Sequence, residues 1–351
     1  MPRGSARLQR LWLTRGLGAH LLRPLAGVHG AIAGLRRWLY RAGWLRIERL
    51  PVPVIVVGNL VVGGAGKTPA VLALVALLRD RGWRPAIVSR GYGGSAGGAQ
   101  EVHPETPARL CGDEPLLLRR RSGVPVFVGR DRVAAARTLL QEHPDTSVLV
   151  SDDGLQHRRL GRDVQVLVFD ERGVGNGFLL PAGPLREALP RAVPPHSVVL
   201  YNAARATTPL PGWLAERRLG GAVALAAWWH GEPAGPEALA ALRGRTIVAA
   251  AGLARPDRFF SMLRDLGLQI DPLTLPDHYD YAVLPWPAGT ADVVVTEKDA
   301  VKLDPARTSS TQVWVVALDF VPPPGFDAEV LRMLGPPDPP AMPPTHGNPI
   351  A

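Results

Sequence analysis

The sharpest local signal in the chain is Gly63-Gly64-Ala65-Gly66-Lys67-Thr68. Consecutive backbone N–H groups in a glycine turn, followed by the positive end of a helix, cradle a polyphosphate. Lys67 is placed to neutralise the β- and γ-phosphates, and Thr68 to offer its hydroxyl to Mg²⁺. The strict loop pattern has glycine at position 61, where this chain has Val61; Pro69 stands in the helix's first turn, where proline is tolerated. A bare structural turn is the competing reading. Such a loop needs a carboxylate at the end of a neighbouring strand, and the apolar run 147–150 leads into Ser151-Asp152-Asp153-Gly154. Asp152 and Asp153 are therefore candidates for the Mg²⁺ shell, although paired acids in loops are often merely solvated.

Other charged groups also follow apolar runs: Arg90 in Ser89-Arg90-Gly91-Tyr92-Gly93, Arg130 and Arg132 in Gly129-Arg130-Asp131-Arg132, and Thr296-Glu297-Lys298-Asp299. An arginine there clamps phosphate, and an acid accepts a hydroxyl proton. Cys111-Gly112-Asp113-Glu114-Pro115 places two carboxylates before a helical stretch, which is also what helix capping by acids looks like. Pro276-Asp277-His278-Tyr279 joins a turn to an imidazole. If Asp113 and His278 meet in space, His278 can hold Asp113 ionised and oriented as a base toward a substrate hydroxyl. Cys111 reads as a small buried hydrophobe.

What must position these groups is a mostly parallel sheet. Short β-branched runs at 54–57, 86–89, 124–128, 147–150, 164–169 and 198–201 alternate with helical stretches such as 70–81 and 132–142. Ligands in such sheets sit outside the carboxyl ends of the strands, where the motifs above fall. A second set at 223–227, 246–250, 273–275, 292–296 and 313–318, with a helix near 257–266, predicts a smaller α/β domain. The expected division is an N-terminal segment 1–50, a P-loop core 51–210, a second domain 211–334 and a disordered tail 335–351, which carries seven prolines.

The 351 residues carry a net charge of +9, and residues 1–50 hold all of it, with ten Arg and one Glu. Trp12, Trp38 and Trp44 and many leucines alternate with those arginines. No run reaches the ~20 apolar residues that span a bilayer, and arginines break every candidate signal-peptide core. The segment is suited to lie in a membrane interface as an amphipathic helix, against the plainer reading of a helix packed on the body. A nucleic-acid arm fits less well, because apolar anchors interrupt the charge. A single cysteine excludes a disulfide scaffold and points to a reducing compartment.

Taken in order, these motifs, with Val57-Gly58-Asn59, Asp152-Asp153-Gly154-Leu155-Gln156-His157, Gly183-Pro184-Leu185-Arg186-Glu187 and Lys298-Asp299-Ala300-Val301-Lys302, give a chain that resembles the tetraacyldisaccharide 4′-kinases of lipid A biosynthesis. The resemblance spans roughly residues 20–320. It implies transfer of phosphate from ATP, with Mg²⁺, to the 4′-hydroxyl of an acylated glucosamine disaccharide 1-phosphate, giving lipid IVA at the cytoplasmic face of the bacterial inner membrane. It implies Asp113 as base with His278; Gly63, Gly64, Ala65, Gly66, Lys67 and Thr68 as the ATP loop; and Thr68, Asp152 and Asp153 at the metal. Arg90, Glu114, Gln156, His157, Arg186 and either Arg130 or Arg132 would hold substrate or phosphate. The partners implied are the lipid substrate and the membrane surface, with no nucleic acid and no obligate protein partner. The competing class is a P-loop nucleotide switch or GTPase at the membrane; the chain has no Asn-Lys-x-Asp guanine-reading motif.

Overall fold

The structure, a computed structural model, describes residues 11–336 apart from 93, 95–97 and 309. Residues 1–10, Gly93 and most of the Pro-rich tail (337–351) lie outside the described residues.

Val54–Gly58 (β1) is a β-branched run buried along its whole length, the pattern of a central parallel strand. Val148–Asp152 (β5) and Val164–Asp170 (β6) flank it in parallel, so Val57 faces Asp152 on one side and Val166 on the other. The chain leaves β1 through the glycine loop, forms the helix Lys67–Asp80, and returns as Pro85–Ser89 (β2) on the far side of β5. That crossover places the end of β5, and its acids, beside the loop. Outside β2 lie Val126–Val128 (β4) and the short antiparallel Gln100–Glu101 (β3); beyond β6 lie Ser197–Asn202 (β7) and Trp213–Leu214 (β8).

The second sheet is built from Glu216–Ala224 (β9), Thr246–Ala251 (β10), Gln269–Thr274 (β11), Asp292–Thr296 (β12) and Gln312–Val321 (β13), in the order β11-β10-β12-β13-β9. It is parallel except for β9. The chain passes from one sheet to the other at Ala215, since β8 still pairs with β7; that is a few residues past the proline-rich stretch 207–212.

The expected strand at 223–227 differs from the structure: β9 ends at Ala224, and Leu225–Trp229 is a helix. The run Leu-Ala-Ala-Trp-Trp lacks β-branching, and helix geometry lets Trp228 bury its ring. The beginning of β9 was hidden by Gly220 and Gly221, the latter at φ +140° beside the backbone of Gly235.

The helix Lys67–Asp80 buries Ala70, Val71, Leu74, Val75 and Leu78, the i, i+4 stripe of a core-facing helix. One apolar cluster runs from Ile55, Val71 and Leu74 through Leu118 to Val295, Val313 and Phe320, so the two sheets share a continuous core. At the N-terminus, the helix Arg23–Arg41 buries only Ala26. Leu17, Leu21, Leu25, Val28, Ile32 and Leu35 are all more than half exposed, at spacings of three and four. No helix of the described residues is long and apolar enough to cross a membrane.

Candidate active site

The glycine loop joins β1 to its helix with Gly63 and Gly66 at φ +98° and +89°, conformations that side chains resist. A Cβ on Gly66 would collide with the amide of Asn202, which ends β7 and donates to the Ala65 carbonyl at 3.0 Å. Arg172 donates to the Gly64 carbonyl at 2.9 Å and is itself held by Asp170 at 2.9 Å. Asn59 donates to the Gly63 carbonyl at 3.2 Å and accepts from Lys67 Nζ at 3.4 Å. The loop is thus fixed from three sides by polar residues at or near strand ends. Thr68 follows Lys67 in the first turn of the helix.

The two acids after β5 have different surroundings. Asp153, at φ +46°, turns its carboxylate to Arg186 at 3.0 Å and Lys67 at 3.7 Å. Burial raises its pKa, but the charges of Lys67 and Arg186 prevail and hold it below the usual range. Asp152 is buried, accepts from the Ser89 hydroxyl at 3.0 Å, and has its Oδ1 without a partner. Burial, then the charge of Glu114, pushes its carboxyl up to about 7 despite Lys67. A buried hard-oxygen atom with no partner fits a divalent cation. No group of three or more His, Cys, Asp or Glu able to hold a metal occurs among the described residues. Mg²⁺ takes few protein ligands and completes its shell with water and phosphate.

Around this pair, Gln156 accepts from Arg186 at 3.0 Å and donates to the Asn59 carbonyl at 3.2 Å. Arg132, which opens the helix Arg132–Glu142, is buried and points at the Asp153 carbonyl, 3.4 Å away. Arg130 is exposed, whereas Arg132 is the one seen to reach the acids. Arg90 is exposed at the end of β2; burial lowers the Arg132 pKa against the pull of Asp152 and Asp153, and the charge of Arg90 adds to that lowering. His157 is half-buried; burial, then the charge of Arg132, pushes it down to about 4, so it is neutral.

The helix expected over 116–121 begins at Asp113, with Pro115 in its first turn. Gly112 at φ +93° makes this start possible: a Cβ there would lie 2.5 Å from the Tyr92 carbonyl oxygen. Asp113 and His278 meet, Nδ1 to Oδ2 at 2.8 Å, with His278 at φ +60° in the turn after β11. Burial would raise the Asp113 carboxyl; the His278 hydrogen bond and the Lys302 charge overcome it and hold it below the ordinary range. Glu114, one residue on, lies 3.5 Å from Lys298. The second sheet therefore supplies His278, Lys298 and Lys302 to a site whose loop and acids belong to the first. Cys111 is buried, with its thiol pushed up to about 11 by burial, which suits a packing role.

Arg172 and Asn202 were not among the residues singled out from sequence, and Asn59 entered only as part of the motif Val57-Gly58-Asn59, with no site role. Each follows or ends a buried strand, the same signal that pointed to Asp152.

A parallel sheet with a glycine-Lys-Thr loop, strand-end acids and a second α/β domain facing them defines a P-loop protein built around a nucleotide-phosphate site. A family model described as Tetraacyldisaccharide-1-P 4'-kinase matches residues 18–335, and the chain belongs to that family. It is 55% identical over 337 residues to the tetraacyldisaccharide 4'-kinase of Methylibium petroleiphilum, covering 95% of this chain and 94% of that one. It is 54% identical to that of Leptothrix cholodnii over 334 residues, 94% of this chain and 96% of the relative. Among solved structures it resembles a crystal structure described as the "apo" form of LpxK from Aquifex aeolicus in complex with ATP. The match has a TM-score of 0.75 and 29% identity, and covers 90% of this chain and 99% of that one.

Proposed function

We propose that the protein phosphorylates the 4′-hydroxyl of a tetraacylated glucosamine disaccharide 1-phosphate with ATP, giving the bisphosphorylated lipid A precursor. Family membership supports the reaction, and the observation that carries the mechanism is the Asp113–His278 pair, whose neighbour Glu114 acts by its charge on Asp152. The backbone of 63–66 and Lys67 hold the triphosphate, Arg132 adds positive charge, and Thr68 with Asp152 would hold Mg²⁺. Held there, the cation would supply neutralisation of the charge that develops on the phosphates in transfer.

Asp113 takes the proton of the sugar hydroxyl as its oxygen bonds to the γ-phosphorus and the bond to the β–γ bridging oxygen breaks, releasing ADP. A carboxylate held below its usual pKa is a weak base, which is sufficient where the transition state is loose and the proton leaves late. Its main contribution is to orient the hydroxyl. Arg186, bonded to Asp153 and Gln156, stands where a substrate phosphate could be met.

Peripheral association with the cytoplasmic face of the inner membrane belongs to this reading. The exposed stripe from Leu17 to Leu35, with Trp38 and Trp44 beyond it, supports it: apolar groups enter the interface while arginines meet lipid phosphates. The helix's other side holds the loop of Arg186, through His29 to the Arg186 carbonyl at 3.0 Å. That contact supports an acceptor side lying close to the bilayer in this reading.

The test is γ-labelled ATP with Mg²⁺, with and without a detergent-dispersed lipid acceptor. The kinase reading expects label in the lipid and little acceptor-independent hydrolysis. Hydrolysis unaffected by acceptor, with no labelled lipid, would favour a nucleotide switch.

A further inference from the structure

Asp113 is held by two cations of different kinds. The imidazole of His278 is 42% exposed, whereas the side chain of Lys302 is 6% exposed. Lys302 Nζ lies 3.8 Å from Asp113 Oδ2 and 3.4 Å from Asp299 Oδ1. Asp299 is fully buried and receives the Gly252 N–H at 3.1 Å and the Thr296 hydroxyl at 2.7 Å. Gly252 permits that approach, since a Cβ there would stand 2.7 Å from Asp299 Oδ1. The ring of buried Tyr281 lies 5.5 Å from Lys302 Nζ. A buried lysine with three N–H donors and an anion fixed beneath it is a pedestal, and the same ammonium faces the carboxylate assigned as base.

We propose that Lys302, standing on Asp299, is the positioning residue that supplies the buried charge on which Asp113 depends, while His278 supplies a second, solvent-exposed hold. This rests on the reading of Asp113 as the proton acceptor. The charged and titratable groups facing Asp113 are His278 from the turn after β11, Lys302 and Lys298 from the segment after β12, and its own neighbours Cys111 and Glu114. Without Lys302 the cations left facing Asp113 are Lys298 and the exposed His278, and burial raises the carboxyl.

The experiment measures kcat and kcat/KM for lipid phosphorylation between pH 4.5 and 9 for the parent, K302Q, K302R, H278Q and D113N, with ATP affinity and thermal unfolding of each. K302Q is expected to lose about tenfold or more in kcat while keeping ATP affinity within about twofold, and its acid limb should rise by one to three pH units. K302R should restore the parent limb, and at pH 8 H278Q should lose less than K302Q. An unmoved limb in K302Q, or a larger loss in H278Q, overturns the assignment. Should K302Q not fold, K302R decides: a limb shifted in K302R, although the charge is kept, also overturns it. Parent-like turnover in D113N sinks the base reading itself, whereas an inactive D113N beside an unmoved limb in K302Q sinks only the role of Lys302.

Discussion

Asp113, Asp152 and Asp153 are three carboxylates within one site, and their surroundings separate them. Asp113 is kept charged by cations and Asp153 is committed to Lys67 and Arg186, while Asp152 carries the cost of burial. For Asp113, replacement by Asn is expected to lower turnover by about two orders of magnitude or more and to leave ATP affinity within about threefold, measured by steady-state kinetics and calorimetry. Near-parent turnover would remove it from the proton transfer. For Asp152 the sign follows from its pKa, raised in the folded state to about 7 from 3.8. Below the lower value both states are protonated and there is no penalty. As pH rises toward the upper value only the unfolded state gives up its proton, so stability falls, by an amount on the order of a few kcal/mol. Denaturant unfolding without Mg²⁺ should show this slope in the parent and lose it in D152N; an equal slope in both would show that Asp152 does not carry it.

At this scale the sequence was most legible where residue type and strand end coincide, as with the acidic pair Asp152 and Asp153 after β5; it did not choose between Arg130 and Arg132. It could not show the meeting of Asp113 with His278, 165 positions apart, because that contact depends on how two sheets pack. Nor could it separate Asp152 from Asp153, since the difference is one turn of backbone that sends one carboxylate inward and the other to Lys67.

Among the elements, the glycine loop is positioned by its neighbours as much as by its own sequence. Asn202 reaches it from β7, Arg172 from beyond β6 and Asn59 from the end of β1. Gly66→Ala must adopt a left-handed conformation and displace Asn202, and is expected to weaken ATP binding at least tenfold. Asn202→Ala removes one strut without that strain and should weaken it only a few-fold. Titration calorimetry ranks the two, and an equal loss would argue that the strut and not the backbone controls the loop. Most strands were readable from their β-branched runs. The start of β9 and the two-residue strands β3 and β8 were not, because glycine pairs and very short edges carry no periodic pattern. Leu225–Trp229 was misread because a five-residue apolar run has too little length to distinguish helix from strand.

For the whole molecule, a shared core joins the two sheets, and the site lies where their carboxyl-end loops face each other. Since Asp113 and His278 already meet, bringing these two groups together requires no further closure. The N-terminal helix presents its apolar stripe away from this body. Paired L25E and I32E substitutions should reduce partitioning onto anionic vesicles at least tenfold with an unchanged thermal midpoint, because both side chains are exposed. Unchanged partitioning would assign that stripe to some other contact. The basic, tryptophan-bearing character of the segment was evident in its composition, but which residues face outward was visible only once Ala26 and His29 were seen to turn inward.

The reaction proposed for this protein passes phosphate to a sugar hydroxyl presented across the two-sheet site. It is tested most directly by locating the phosphorus in the product. Lipid acceptor is incubated with the protein, ATP and Mg²⁺, and phosphorus–proton correlation spectroscopy is recorded on the purified lipid. The account predicts one new phosphomonoester coupled to the proton at the 4′ carbon, formed by the parent and absent with D113N. Phosphate at another position, or a phosphorylated lipid formed equally well by D113N, would contradict it.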